Sequence, residues 1–273
     1  MTAFAGQAMR RVEAIMGTVV SIEIEPPLVP AGIVDDVIAQ LHDIDSRFST
    51  YKPDSEISRL MRGELREEDA SLDVRHVLAA CEHLTIVTRG AFDARRHRPD
   101  GQLDPSGYVK GWAIEEAAWT LDAAGARNYW INAGGDIVAR GEGAPGRPWR
   151  VGIRHPDHAD RVAAVLAVSD RAVATSGTYE RGEHIFDPRT GRAATELRSV
   201  TVVGPALAFT DAYATAVHSM GLDGLAWLAG HEAGTARAGS TGAAGGPYAA
   251  YAITNDGRAV WTEGMDRYLV RDD

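Results

Sequence analysis

The sequence predicts an α+β fold in which mixed or antiparallel sheets are flanked by helices. Long helical patterns cluster in the first half of the chain. Short β-like runs separated by turn residues fill most of the second half, and the two do not alternate as a regular βαβ array requires. The 273 residues, 45% of them hydrophobic, suffice for one large domain or two small ones sharing a core.

The elements follow in order. Val12 to Glu25 reads as a strand, since Thr18-Val19-Val20 is β-branched, Ile22 and Ile24 alternate with Glu23 and Glu25, and Pro26-Pro27 stops it. Val34, Ile38, Leu41 and Phe48 recur at helical spacing, with Asp35 and Asp36 near the start, where the helix dipole favours anions. Phe48 to Glu56 is a loop leading into a short helix. Leu72 to Thr88 is a second long helix, ended at Gly90. Tyr108 to Ala124 is a third, with Ile114, Ala118 and Leu121 on one face and Gly125 as its stop. Strand-like runs follow at Tyr129–Asn132, Ile137–Arg140, Arg150–Arg154, Val162–Val168, Ala172–Thr175 and Ser199–Val203. A helical pair, Asp211–Met220 and Asp223–Ala229, comes next. The Gly/Ala/Ser-rich stretch 234–246 reads as a loop, and Tyr248–Thr254 with Arg258–Thr262 as a hairpin over Asn255-Asp256-Gly257.

Charge and composition exclude some functions. The net charge is -10 and the only basic run is Arg95-Arg96-His97-Arg98, which argues against tight sequence-independent binding to nucleic acid. Cys81 is the only cysteine, so no internal disulfide forms, and it sits in an apolar helical pattern as a small core residue. Residues 1–12 contain no apolar leader core, and no apolar run approaches the ~18 residues of a membrane span. The expectation is a cytoplasmic chain without a transmembrane segment.

Several segments carry chemistry. In Asp104-Pro-Ser-Gly-Tyr-Val-Lys110-Gly111, Asp104 or Ser106 caps a helix, and Lys110 then lies in its first turns. Free N–H groups at a helix start attract phosphate, and a lysine there loses ~0.3–1 kcal/mol of dipole energy unless an anion compensates. The alternative is a surface lysine pointing to water. In Thr210-Asp211-Ala-Tyr-Ala-Thr215, a carboxylate and a hydroxyl share one helix face at the start of a helix. These are oxygen ligands of the kind Mg²⁺ takes, with waters and substrate phosphates completing its shell. Alternatively, Asp211 only stabilises its helix start, with Thr210 as cap. Together the two segments suggest a site for a phosphate-bearing ligand and a hard metal ion.

His184-Ile-Phe-Asp187-Pro-Arg-Thr-Gly191 contains turn chemistry from Asp187 to Gly191, and His184 is a core residue, a ligand contact or an acid/base. Asn132-Ala-Gly134-Gly135-Asp136 lies between two strands, where paired glycines let backbone approach closely, or form a plain turn. Ser176 and His184 do not make a serine hydrolase, because no Gly-x-Ser-x-Gly elbow is present. Gly141-Glu-Gly143-Ala-Pro-Gly146 precedes a strand pattern rather than a helix, so it is a hairpin loop and not a dinucleotide-binding turn. His155 and His158 flank a proline-containing loop without further ligands and make a weak metal pair.

These pieces, with Met16-Gly17-Thr18, Phe48-Ser-Thr-Tyr51-Lys-Pro-Asp-Ser-Glu56, Gly90-Ala-Phe92-Asp93 and Ala174-Thr-Ser176-Gly177, stand in the order of a known pattern. The chain resembles the FAD:protein FMN transferase family, the ApbE-like flavin transferases, over roughly Met16 to Met265. The resemblance implies a two-lobed, T-fold-like single α+β unit over 1–273, helix-rich at about 12–125 and strand-rich at about 126–273. It implies FAD as substrate, Mg²⁺ on the pyrophosphate, transfer of FMN to a Thr or Ser hydroxyl of an acceptor protein, and release of AMP. Met16, Tyr51, Phe92, Asp93, Ala94, Asp104, Lys110 and Ile185 would contact FAD. Asp211, Thr215 and the Gly107 carbonyl would hold the metal, and His184, Asp211 and Lys110 would be catalytic. Where the family usually continues Phe-Asp with a Pro-Thr-Val-x-Pro-Leu-type stretch, this chain has Ala94-Arg-Arg-His-Arg-Pro-Asp-Gly101. FAD pyrophosphatase and a non-catalytic flavin-binding protein are the alternatives.

Overall fold

Met16 and Gly17 both take positive φ, 53° and 70°, and turn the chain back on itself. The predicted strand over Val12 to Glu25 is therefore a hairpin, β1 (Met9–Ile15) and β2 (Thr18–Ile24), with Ile15 opposite Thr18. Two central residues at positive φ give the tight turn whose twist matches a hairpin. The turn is hidden in the sequence because methionine, not asparagine, occupies its first position.

The computed structural model describes residues 7–26, 29–30, 32–95, 102–158, 160–177, 186–187, 189–235 and 248–271. His184, Ile185, Arg96, His97, Arg98 and nearly all of the 234–246 stretch lie outside them. The helices are α1 (Ile33–Phe48), α2 (Glu56–Met61), α3 (Leu72–Val87), α4 (Ser106–Ala123), α5 (Leu207–Met220) and α6 (Leu222–Thr235). The further strands are β3 (Tyr129–Ala133), β4 (Asp136–Arg140), β5 (Trp149–Arg154), β6 (Val162–Val168), β7 (Arg171–Gly177), β8 (Phe186–Asp187), β9 (Arg192–Ala193), β10 (Leu197–Gly204), β11 (Ala249–Thr254) and β12 (Ala259–Trp261).

One eight-stranded sheet, in the order β1-β2-β3-β4-β7-β10-β11-β12, pairs antiparallel throughout. It runs from the first described strand to the last, through the helix-rich and strand-rich stretches alike. Its central strands are buried on both faces. Val138, Ala172, Ala174, Val200, Val202, Ala250 and Ala252 face the core beneath the helices. Ala139, Val173, Val203, Ala249, Tyr251 and Ile253 face a second core under the β5–β6 hairpin, with Met265 and Tyr268. The Gly141–Gly146 segment leads into β5, as a hairpin loop and not a dinucleotide-binding turn requires. The turn at Asn255–Gly257 joins β11 to β12, with Gly257 at φ 84°. Cys81 is buried in α3, and burial pushes its thiol up to about 12.

The start of α5 corrects the sequence reading. The helix begins at Leu207, one turn before Asp211, and Thr210 is not its cap: the Thr210 hydroxyl donates to the Ala206 carbonyl at 2.7 Å. The cap comes instead from the Glu115 carboxylate of α4, which accepts the Leu207 N–H at 2.5 Å. A carboxylate suits a helix start because of the unsatisfied N–H groups and the dipole there.

Candidate active site

Helices α4 and α5 cross at Gly111. A Cβ on Gly111 would lie 2.7 Å from the Leu207 carbonyl oxygen and 2.8 Å from the Ala208 Cα, so only glycine permits this approach. Beside the crossing, Tyr108 packs edge-on against Phe209 with ring centroids 5.7 Å apart, and burial raises its hydroxyl to about 12. This contact brings the first turn of α4 against the first turn of α5.

Lys110 is the centre of the cluster that results. Its Nζ contacts the Asp136 carboxylate at the start of β4 and lies 3.7 Å from Asp211 Oδ2. The two carboxylate side chains are 2% and 5% exposed, while Lys110 is 28% exposed. The reading of Lys110 as a surface lysine pointing to water is thus overturned, as is that of Asp211 as a mere helix-start residue. Asp136 Oδ1 also accepts the Thr175 N–H of β7 at 3.0 Å, which fixes its side chain across two strands. Thr215, one turn beyond Asp211 and half-buried, has its hydroxyl 3.2 Å from that of Ser176.

Around the start of α4 the flavin-contact candidates gather. The Thr88 hydroxyl at the end of α3 accepts the Phe92 N–H at 3.0 Å and donates to the Leu84 carbonyl at 2.7 Å. Phe92, buried, then lies against Gly107, where a Cβ would meet its ring at 3.2 Å. The Ala94 carbonyl accepts the Asp104 N–H at 2.7 Å, and Asp104 Oδ1 accepts the Ser106 N–H at 3.1 Å. Asp104 therefore serves the helix start, while the N-cap position itself is Pro105. Asp93 Oδ1 accepts the Arg95 N–H at 2.8 Å, and Arg95 pairs with Glu67 at 3.2 Å.

Met16 approaches from the hairpin end of the sheet. The Gly134 N–H donates to the Val19 carbonyl at 3.2 Å, and a Cβ on Gly134 would collide with the Thr18 hydroxyl. The Met16 turn and the turn leading into Asp136 are thus neighbours. Tyr51 stands apart at 89% exposed, although Phe48, three residues earlier, packs against Trp112 of α4 with ring centroids 5.4 Å apart and the planes tilted by 58°. His184 and Ile185 lie outside the described residues. The segment just after them does form the expected tight turn, with the Gly191 N–H donating to the Asp187 carbonyl at 2.8 Å. Burial works against the Asp187 carboxylate, but two hydrogen bonds from Arg189, at 2.8 and 2.9 Å, hold it below the usual carboxylate range.

Sequence reasoning missed Asp136. The Asn132–Asp136 segment stood out for its glycines, and the carboxylate that opens β4 was the unused signal. The Asp211 carboxylate and Thr215 hydroxyl are hard oxygen donors that suit Mg²⁺. Among the described residues no three His, Cys, Asp or Glu side chains gather as a metal cage. A cation here would therefore draw on a hydroxyl, backbone carbonyls, waters or substrate phosphates, which is the usual Mg²⁺ arrangement.

The fold is similar to that of solved flavin transferases. Flavin Transferase ApbE from Vibrio cholerae superposes with a TM-score of 0.80 at 25% identity, covering 98% of this chain and 100% of that one. The ApbE protein of Thermotoga maritima shares the fold at a TM-score of 0.79 and 19% identity, over 97% of this chain and 100% of that one. The ApbE family model matches residues 16–95 and 94–237, and the chain belongs to the ApbE family. The FAD:protein FMN transferase of Haemophilus influenzae is 27% identical over 251 residues, covering 69% of this chain and 72% of that protein. That of Rhodobacter capsulatus is 39% identical over 152 residues, covering 53% and 29% respectively. That of Vibrio cholerae is 33% identical over 170 residues, covering 59% and 50%, so the chain spans half or less of the length of these last two relatives. Among the described residues no helix is long and apolar enough to cross a membrane.

Proposed function

We propose that the chain transfers FMN from FAD to a Thr or Ser hydroxyl of an acceptor protein and releases AMP, with Mg²⁺ at the diphosphate. One observation carries the reading: the Lys110 ammonium, partly open to solvent, is held between the buried carboxylates of Asp136 and Asp211 at the crossing of α4 and α5. The names of the curated relatives supply the substrate class.

In this reading the acceptor oxygen attacks the phosphorus of the FMN half, the P–O–P bridge breaks, and AMP departs with the bridging oxygen. Lys110 would neutralise charge on the departing phosphate, the kind of preorganised electrostatic help that lowers such barriers most. Asp136 holds the lysine side chain in place. Asp211 and Thr215, joined by the Gly107 carbonyl, would hold Mg²⁺, which when bound neutralises phosphate charge and templates the diphosphate. Met16, Tyr51, Phe92, Asp93, Ala94, Asp104 and Ile185 would contact FAD. The acceptor proton passes to His184 or to a carboxylate beside the cation. The acceptor is a protein with an accessible Thr or Ser, and the reading includes no nucleic acid.

The test is incubation with FAD, Mg²⁺ and a co-expressed acceptor, followed by denaturation and mass analysis. A mass gain of one FMN on the acceptor, with stoichiometric AMP, is expected. Free FMN and AMP alone would make the chain an FAD pyrophosphatase, and FAD binding without AMP would make it a flavin carrier.

A further inference from the structure

We propose that Glu115 is a positioning residue for this site, because its carboxylate ties together the three elements that carry Lys110, Asp136 and Asp211. One oxygen, Oε1, accepts from Arg140 Nη2 at 2.7 Å, at the end of β4. The other, Oε2, accepts the Leu207 N–H at 2.5 Å, at the start of α5. Glu115 itself belongs to α4. Its side chain is 11% exposed and that of Arg140 16%, so both charges are largely out of water and answer to each other. The Asp122 carboxylate also faces Arg140 at 3.9 Å, and Arg140 Nη1 donates to the Ala139 carbonyl at 3.4 Å.

The tie repeats the site, displaced along the same three elements. Glu115 follows Lys110 by five residues on α4, Arg140 follows Asp136 by four on β4, and Leu207 precedes Asp211 by four on α5. Four residues are about 6 Å of helix or about 13 Å of strand, spans over which regular backbone is stiff. Between the two polar clusters lies the backbone contact of Gly111 with Leu207 and Ala208. Packing alone sets how closely α4 and α5 approach, but leaves each free to slide along the other. A carboxylate with one oxygen on a strand end and the other on a helix end removes that freedom. The register it fixes is the one that sets Asp211 against Lys110.

The inference rests on the reading of Asp211 and Thr215 as cation ligands, and its test separates the two. Glu115→Gln and Arg140→Lys are prepared in the full chain beside wild type and Asp211→Asn. FAD fluorescence is titrated with and without Mg²⁺, well below each melting temperature, and kcat and KM are measured as Mg²⁺ is varied. The expected result is that both variants fold and bind FAD without Mg²⁺ as wild type does. Their Mg²⁺ midpoint for FAD binding then rises about tenfold, as when a partner that orients a metal ligand is lost. Their kcat falls with little change in KM for FAD. A lower melting temperature with an unchanged Mg²⁺ midpoint would make Glu115 a fold-holding residue only and overturn the proposal, as would two variants that fail to fold. Should Mg²⁺ not affect FAD binding by wild type, and Asp211→Asn match it, the cation reading falls and takes this inference with it.

Discussion

Gly111 of α4 backs directly onto the carbonyl oxygen of Leu207 in α5, close enough that a Cβ would stand 2.7 Å from it. Backbone meets backbone here, so no flexible side chain can yield. Gly111→Ala forces the helices apart at a cost of ~1–3 kcal/mol for overpacking, offset by ~1 kcal/mol of better helix propensity. The expected outcome is a small loss of melting temperature and a disproportionate loss of FMN transfer, since Lys110 and Asp211 separate. Gly230→Ala in α6, where a Cβ meets nothing within 4 Å, is the control and is expected to stabilise. Equal transfer rates in the two variants would show that helix spacing does not govern the site.

Lys110→Met leaves the buried carboxylates of Asp136 and Asp211 facing each other without the ammonium between them. Removing one partner of a buried ion pair costs ~3–5 kcal/mol, and the partial exposure of Lys110 reduces this to on the order of 2 kcal/mol. The melting temperature should fall, and Mg²⁺ should recover part of the loss, more than it adds to wild type. Turnover should drop by about 10²–10³, as for other lost donors to developing charge. An unchanged melting temperature would show that the three charges are not coupled.

Asp211→Asn keeps shape and hydrogen-bonding capacity but removes a negative charge. FMN transfer should lose its response to Mg²⁺, while FAD binding without metal persists. Transfer that still saturates with Mg²⁺ as in wild type removes Asp211 from the ligand set.

Cys81 sets an alkaline limit. Its thiol ionises at about 12 in the fold, against 9.0 when unburied. The unfolded chain therefore releases this proton first, and the stabilisation, complete below pH 9, is lost as pH rises toward 12. Tyr108, raised from 10.0 to about 12, adds to the loss in the upper part of that window. Melting temperature should fall more steeply above pH 9 in wild type than in Cys81→Ala. Native protein at neutral pH should resist iodoacetamide, because burial suppresses the thiolate.

Met16 holds φ 53° without being glycine or asparagine. Met16→Asn should relieve that strain and raise stability by ~1 kcal/mol, which for a chain of this size is roughly 2–4 °C in melting temperature. FAD affinity should fall at the same time, if the thioether touches the flavin. A gain in stability with unchanged FAD affinity would remove Met16 from the binding surface.

How much of this was legible in the sequence depends on whether the signal was local. Lys110 near a helix start, and Asp211 with Thr215 on one face, follow from spacing within a single element. The pairing of Lys110 with Asp136 depends on α4 packing against β4, 26 residues further along the chain, which no window of sequence shows. The start of α5 escaped notice because its cap comes from Glu115, 92 residues earlier in the chain. The β1–β2 turn escaped because Met16 disguises it. The metal and flavin contacts rest on family resemblance, for His184 and Ile185 as for the others.

The order of elements along the chain also sets how much of it must be made before the cluster is complete. Lys110 and Asp136 are both present once the chain has been made through β4, but Asp211 lies beyond β7 and β10 in the chain. A ribosome-bound chain ending at Gly204 has the lysine and one carboxylate but neither Asp211 nor Thr215. On the proposed reading, such a chain should release no AMP from FAD.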